Sequence, residues 1–387
     1  MRQPHEPHTP GLRRLLLQSM GLGAATWALP TLAQPRAGDK GDILIGRSTA
    51  LSGPMAPFLA PIHQGQEAAL ADFNASGGVA GRKVQLMSLD DGFDAQRSLE
   101  NARKLVQENG VVAMFGQAGT SQVLAQLPLL EQSRTPLVGI YTGSPAVRVA
   151  RSPWLFTTNA SYSDEMVKII RNLVAIQSSR IGVAYENNDF GKLALPLVEK
   201  AIAAEGATLV GAQAMQSSGQ DADSAAKALA ALQPQAVVMI AAGPPVVAYV
   251  RAHKAHLGVP VYTLSLGAGA QAIRALGDDA RGLAVARTTP SPTRLTTKIA
   301  RDFQASMKRH GQPADYDRFV GYLDARVLIE GLRAAGPNVN GATLATALEG
   351  LNKLDLGGHT YQFSAQNRNG SNFVDIAVIG PGGTYMH

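Results

Sequence analysis

Two short stretches carry the residue types best suited to holding a small anion. Ala118-Gly119-Thr120-Ser121 follows the apolar run Val111 to Phe115, and Thr142-Gly143-Ser144 follows Pro136 to Tyr141. Both place hydroxyls and unhindered backbone N–H groups after a strand. Gly119-Thr120-Ser121 also opens a helix pattern carrying Val123, Leu124, Leu127 and Leu130. A helix start offers N–H donors and the positive end of the dipole, so this place can hold a carboxylate. Capping alone would also account for the same residues, because Ser and Thr begin helices everywhere. Ser52-Gly53-Pro54 to Phe58 is a third loop of this kind.

Other chemistry is poorly served. There is no G-x-S-x-G elbow, no HExxH and no carboxylate pair that spacing singles out, so no catalytic residue is assigned. Asp90, Asp91 and Asp94 lack the remaining ligands of a calcium loop, and turn and helix capping explains them better. His253 and His256 sit three apart on a predicted helix without a second ligand pair, and a surface placement is expected. No metal is assigned. Gly267 to Ala272 reads G-x-G-x-x-A after a predicted strand, but Asp278 and Asp279 come too early for a dinucleotide fingerprint, and no cofactor is expected. The absence of cysteine removes disulfides, thiolate metal sites and cysteine nucleophiles together.

The loops are positioned by a regular alternation of strands and helices. Ile43 to Ile45 and Val84 to Leu89 read as strands around a helix pattern with Ile62, Ala69, Leu70 and Phe73. Between them lies the glycine-rich turn Asn74-Ala75-Ser76-Gly77-Gly78-Val79-Ala80-Gly81. This is a βαβ unit with parallel strands. A helix over 95–108 follows, and Pro128 is expected to kink or shift the helix after Thr120. A second series runs from Arg180 to Leu264, with strands near 180–185, 207–211, 236–241 and 260–264. Such alternation predicts an α/β fold with parallel sheets covered on both faces. Arg151 to Ala160 and Arg287 to Thr293 read as breaks between the two series.

The chain has 387 residues, 45% hydrophobic and 17% charged, which favours two lobes over one. Residues 1–33 read as a cleavable signal peptide, with Arg13-Arg14 before an apolar stretch from Leu15 to Pro30 and small residues before Gln34. The twin arginine fits a twin-arginine signal and an ordinary secretory signal equally. The formal charge of +6 falls to +4 without Arg2, Arg13, Arg14 and Glu6. No basic cluster longer than Arg82-Lys83 remains in the mature chain, so nucleic acid is not an expected partner.

Residues 43–94 resemble the opening of the branched-chain amino-acid (Leu/Ile/Val-binding-protein-like) periplasmic binding proteins that serve ABC importers. The strand, the Ser52-Gly53-Pro54 loop, the long helix, the N-A-x-G-G-x-x-G turn and the strand ending in Asp90-Asp91 follow in that family's order. The resemblance implies a type I periplasmic binding protein, two Rossmann-like lobes joined by a multi-strand hinge. It places the first lobe at 40–157 plus 290–352 and the second at 158–289 plus 353–387. It also implies a periplasmic monomer that binds a small molecule between its lobes and docks on a permease in the inner membrane. A sensor signalling through a membrane receptor is the alternative within the same fold.

By the same resemblance, Ala118, Gly119, Thr120, Thr142, Gly143 and Ser144 would grip a ligand carboxylate. Phe58 would cover the ligand from the first lobe and Phe190 from the second, although either ring could equally be core. Relatives that take amino acids carry an acidic residue where this chain has Ser265 and Leu266. Burying an ammonium without a partner is costly. The expected ligand is therefore a small carboxylic acid with an apolar or aromatic body and no α-amino group, with an amide or amino acid as the alternative.

Overall fold

The computed structural model describes residues 41–386, so the expected signal peptide at 1–33 lies outside the described residues. The first lobe is built from β1 (Ile43–Thr49), α1 (Ala56–Ala75), β2 (Val84–Asp90), α2 (Ala95–Arg103), β3 (Ala113–Phe115), α3 (Thr120–Ser133), β4 (Leu137–Val138), α4 (Pro145–Val149) and β5 (Leu155–Phe156). The five strands pair in parallel in the order β2-β1-β3-β4-β5. Alternate side chains point to opposite faces, so both faces are apolar. Ile43, Ile45, Ala113, Phe115 and Val138 join one core, while Met114 and Leu137 join another. Pro128 stays inside α3 without ending it. The expected break at 151–160 contains the short strand β5, which closes this sheet.

The second lobe runs through α5 (Tyr162–Ala175), β6 (Arg180–Glu186), α6 (Asp189–Ala204), β7 (Thr208–Met215), α7 (Ala222–Ala231), β8 (Ala236–Ile240), α8 (Pro244–His256), β9 (Val261–Thr263), α9 (Ala270–Leu276) and β10 (Ala284–Arg287). The chain then returns to the first lobe with α10 (Lys298–Arg309), α11 (Tyr316–Ala335), α12 (Gly341–Glu349) and the small hairpin β11 (Leu354–Asp355) and β12 (Thr360–Tyr361). It ends with β13 (Asp375–Ile379) and β14 (Tyr385–Met386), which add antiparallel to the second sheet. That sheet has the order β14-β13-β10-β9-β8-β6-β7.

The last crossing comes later than the sequence suggested. Leu356, Tyr361 and Phe363 pack in the first lobe's core with Phe156, and only residues from about Val374 onward pack with the second. The expected second-lobe segment from 353 therefore belongs to the first lobe as far as Phe363. The three crossings are tied to one another. Thr157 N donates to Arg368 O at 2.9 Å, Gly370 N donates to Thr157 O at 2.8 Å, and Thr288 Oγ1 donates to Asn159 Oδ1 at 3.1 Å. Three chain crossings bonded in this way join the two lobes.

Candidate functional site

The cleft between the lobes holds a cavity of ≈ 520 Å³. Its first-lobe wall comes from strand ends and the helices that follow them, as parallel sheets dictate. Gly119 adopts φ 89°, a left-handed value that favours glycine, and turns the chain from β3 into α3. No side chain caps the start of α3. Thr120 Oγ1 and Thr142 Oγ1 share a hydrogen bond of 2.9 Å, and Thr142 Oγ1 meets Tyr162 OH at 3.2 Å. A chain of hydroxyls therefore runs beside a helix N-terminus. The arrangement can donate to an anionic oxygen from both the backbone and the Thr side chains.

The apolar wall is supplied by Met55, Phe58, Leu59, Phe93 and Phe190. Phe58 starts from the first lobe but packs against the second lobe's core. Phe190 meets Tyr162 edge to face, with centroids 5.3 Å apart. Two further contacts bridge the lobes at this level. Ser121 Oγ donates to Asp189 Oδ2 at 3.2 Å, and a Cβ placed on Gly243 would come within 2.9 Å of Met55 Sδ.

Of the residues singled out from sequence, Phe58, Ala118, Gly119, Thr120, Thr142 and Phe190 line the cavity together. Gly143, Ser144 and Ser265 do not. Gly143 is covered by Tyr162, against which a Cβ would collide. Ser144 is buried with its N–H on Thr142 Oγ1. Ser265 is turned to Glu165 on α5, donating its N–H at 2.6 Å and its hydroxyl at 3.0 Å. Thus a carboxylate does stand behind the position where none was read, but it comes from another element and is withdrawn from the cavity. Burial pushes the Glu165 carboxyl up to about 7.

Sequence reasoning missed Asp317, Glu186, Tyr141 and Tyr162, all on the cavity wall. Asp317 lies in the first turn of α11, 4% exposed, and accepts the N–H of Ala270 in the second lobe at 2.6 Å. Burial, and after it the neighbouring charge of Asp315, pushes its carboxyl up to about 6 against the pull of Arg287. Glu186 is committed to Asn188 Nδ2 at 2.8 Å and Ala242 N at 3.1 Å. Asp90 accepts from Leu51 N, Ser52 Oγ and Gly92 N, and Asp91 from Ser48 Oγ and Phe93 N, so this acidic pair fixes the turn after β1. Among the described residues no group of acidic and histidine side chains could hold a metal ion. His253 is buried rather than exposed, with Nε2 2.8 Å from Val259 O.

A cleft of this build, between two α/β lobes joined by three chain crossings, defines a class of ligand-binding proteins. The chain belongs to the periplasmic binding protein family, whose model matches residues 42–384. That family is one of binding proteins rather than enzymes. The Leu/Ile/Val-binding protein of Escherichia coli (strain K12) is 24% identical over 152 residues, 39% of this chain and 41% of that relative. The matched part therefore spans less than half the length of the relative. An extracellular ligand-binding receptor from Verminephrobacter eiseniae superposes with a TM-score of 0.83 at 27% identity, covering 90% of this chain and 100% of that one. Two more distant structures share the fold. One is a branched-chain amino acid ABC transporter protein from Thermus thermophilus with bound valine, at 18% identity, TM-score 0.79, covering 90% and 96% of the two chains. The other is a solute-binding protein from R. palustris in complex with benzoate, at 17%, 0.79, 89% and 95%.

Proposed function

We propose that this chain is the periplasmic ligand-binding component of an ABC importer, and that it takes a small carboxylate-bearing solute with an apolar or aromatic body. The observation that carries the reading is the start of α3, uncapped by any side chain and flanked by the Thr120–Thr142 hydroxyl pair, on the cavity wall. Phe58 and Phe190 supply flat apolar surface for the body of the ligand. The solutes in the two distant neighbours, valine and benzoate, are both carboxylic acids, which supports the acid half of the reading. Closure of the lobes over the acid would present the closed form to a permease.

A second reading, an α-amino acid ligand, is favoured by the buried carboxylate of Asp317 on the cavity wall. Calorimetry on the mature protein with matched pairs separates the two: 4-methylpentanoate against leucine, and 3-phenylpropanoate against phenylalanine. The acid reading expects the deaminated partner to bind more tightly in each pair. Leucine or phenylalanine binding at least as tightly would replace it with the amino-acid reading.

A further inference from the structure

Four carboxylates line the cavity, and three of them are spent on local structure. Asp94 caps α2 through Arg97 N, Glu186 holds Asn188 and Ala242, and Asp189 takes the Ser121 hydroxyl. Asp317 differs. Among the described residues it accepts a single hydrogen bond, from Ala270 N, while a carboxylate has about four acceptor sites. The close approach of that amide depends on Gly269, where a Cβ would collide with the Asp317 carboxylate.

The neighbouring cation does not use up this capacity. Arg287 is 2% exposed and lies between the rings of Tyr316 and Tyr385, 4.5 and 4.7 Å from their centroids. Its guanidinium donates to Ala268 O at 2.8 Å and Tyr385 OH at 2.7 Å rather than to a carboxylate. Asp317 thus feels both the Asp315 carboxylate and the Arg287 cation through space, while its oxygens stay on the cavity wall. A neutral donor on the ligand would complete its hydrogen bonding.

Building on the acid reading above, we propose that Asp317 is the specificity-determining residue of the cleft. It accepts a hydrogen bond from a hydroxyl or uncharged amine on the ligand body, and so selects acids that carry such a donor over bare hydrocarbon acids. A site built around a buried acceptor rejects an analogue that lacks the donor far more strongly than an apolar pocket rejects an extra methylene. The cavity would then hold its ligand at two places, the carboxylate at α3 and the donor at α11.

The test is calorimetry on wild type and Asp317→Asn with benzoate, 4-hydroxybenzoate, 4-aminobenzoate, hexanoate and 6-hydroxyhexanoate. Asn keeps a carbonyl for Ala270 N, and Asp317→Ser provides a second variant should Asn disturb folding. In wild type at least one donor-bearing acid should bind about tenfold or more tighter than its bare counterpart, as a hydrogen bond to a charged group implies. In Asp317→Asn that ratio should fall towards one, with the bare acid nearly unchanged. Equal binding of all acids by wild type would overturn the proposal while leaving the acid reading intact. So would a ratio that survives the substitution, or an equal weakening of every acid, which is what a purely structural Asp317 would give. Absence of binding by all five acids would overturn the acid reading and this proposal with it.

Discussion

Replacing Glu165 by Gln removes one buried titration while leaving an acceptor for Ser265. Glu165 is 1% exposed, and burial raises its carboxyl from an ordinary 4.5 to about 7, against hydrogen bonds from Ser265 and the charges of Arg287 and Arg148. Between those values the native carboxyl keeps a proton that the unfolded chain has released, so stability falls as pH rises. The contribution is whole below about pH 4.5 and gone above about pH 7. At 1.36 kcal/mol per pH unit this interval is worth about 3 kcal/mol. Asp317 and Asp324, pushed to about 6 and about 7, act in the same direction. His63 and His359, held neutral down to about 3 and about 4, act oppositely up to their ordinary 6.5. All four are common to both proteins and cancel in the difference. Urea unfolding of wild type and variant at about pH 4.5, 5.5, 6.5 and 7.5 gives that difference directly. The variant should gain about 3 kcal/mol relative to wild type from the lowest pH to the highest. A difference that stays constant over the range would refute the reasoning.

Three other outcomes follow from the same structure. Thr120→Val leaves Thr142 its contact with Tyr162 but removes one hydroxyl from the cavity, and should weaken binding of 4-methylpentanoate by about 1.5–3 kcal/mol in calorimetry if that hydroxyl meets a charged oxygen. Gly65→Ala would drive a Cβ into the backbone carbonyl of Arg318 where α1 crosses α11, and should lower stability in urea unfolding by about 1–3 kcal/mol. Small-angle scattering should show a smaller radius of gyration once 4-methylpentanoate saturates the protein, because Ser121 and Asp189 meet only across a closed cleft.

What could be read in the sequence was what depends on neighbours along the chain. The hydroxyl-bearing loops after β3 and β4 were legible because strand, glycine and helix start follow in order, and the fold then places Thr120 and Thr142 together. The direction of a side chain within such a loop was not legible. Ser144 and Ser265 have suitable chemistry, yet one is buried beneath Thr142 and the other is held by Glu165. Asp317 was missed for a different reason. Its surroundings, Asp315-Tyr316-Asp317-Arg318, read as an ordinary helix start, and Asp315 does cap α11 through Arg318 N. Only the chain's return to the first lobe brings that turn to the cleft. The late crossing after Phe363 was likewise hidden, since Tyr361 and Phe363 occupy two alternate positions of a segment that either lobe could have accepted.

The central claim is that the start of α3, with Thr120 and the neighbouring Thr142, holds a carboxylate, and a crystal structure of the mature protein with 4-methylpentanoate tests it most directly. The account predicts both carboxylate oxygens within about 2.7–3.1 Å of donors from Thr120, Thr142 or the first amides of α3, with the hydrocarbon against Phe58 and Phe190. A carboxylate found at Lys192, the lysine that α6 brings to the cavity wall, or outside the cleft, would contradict it.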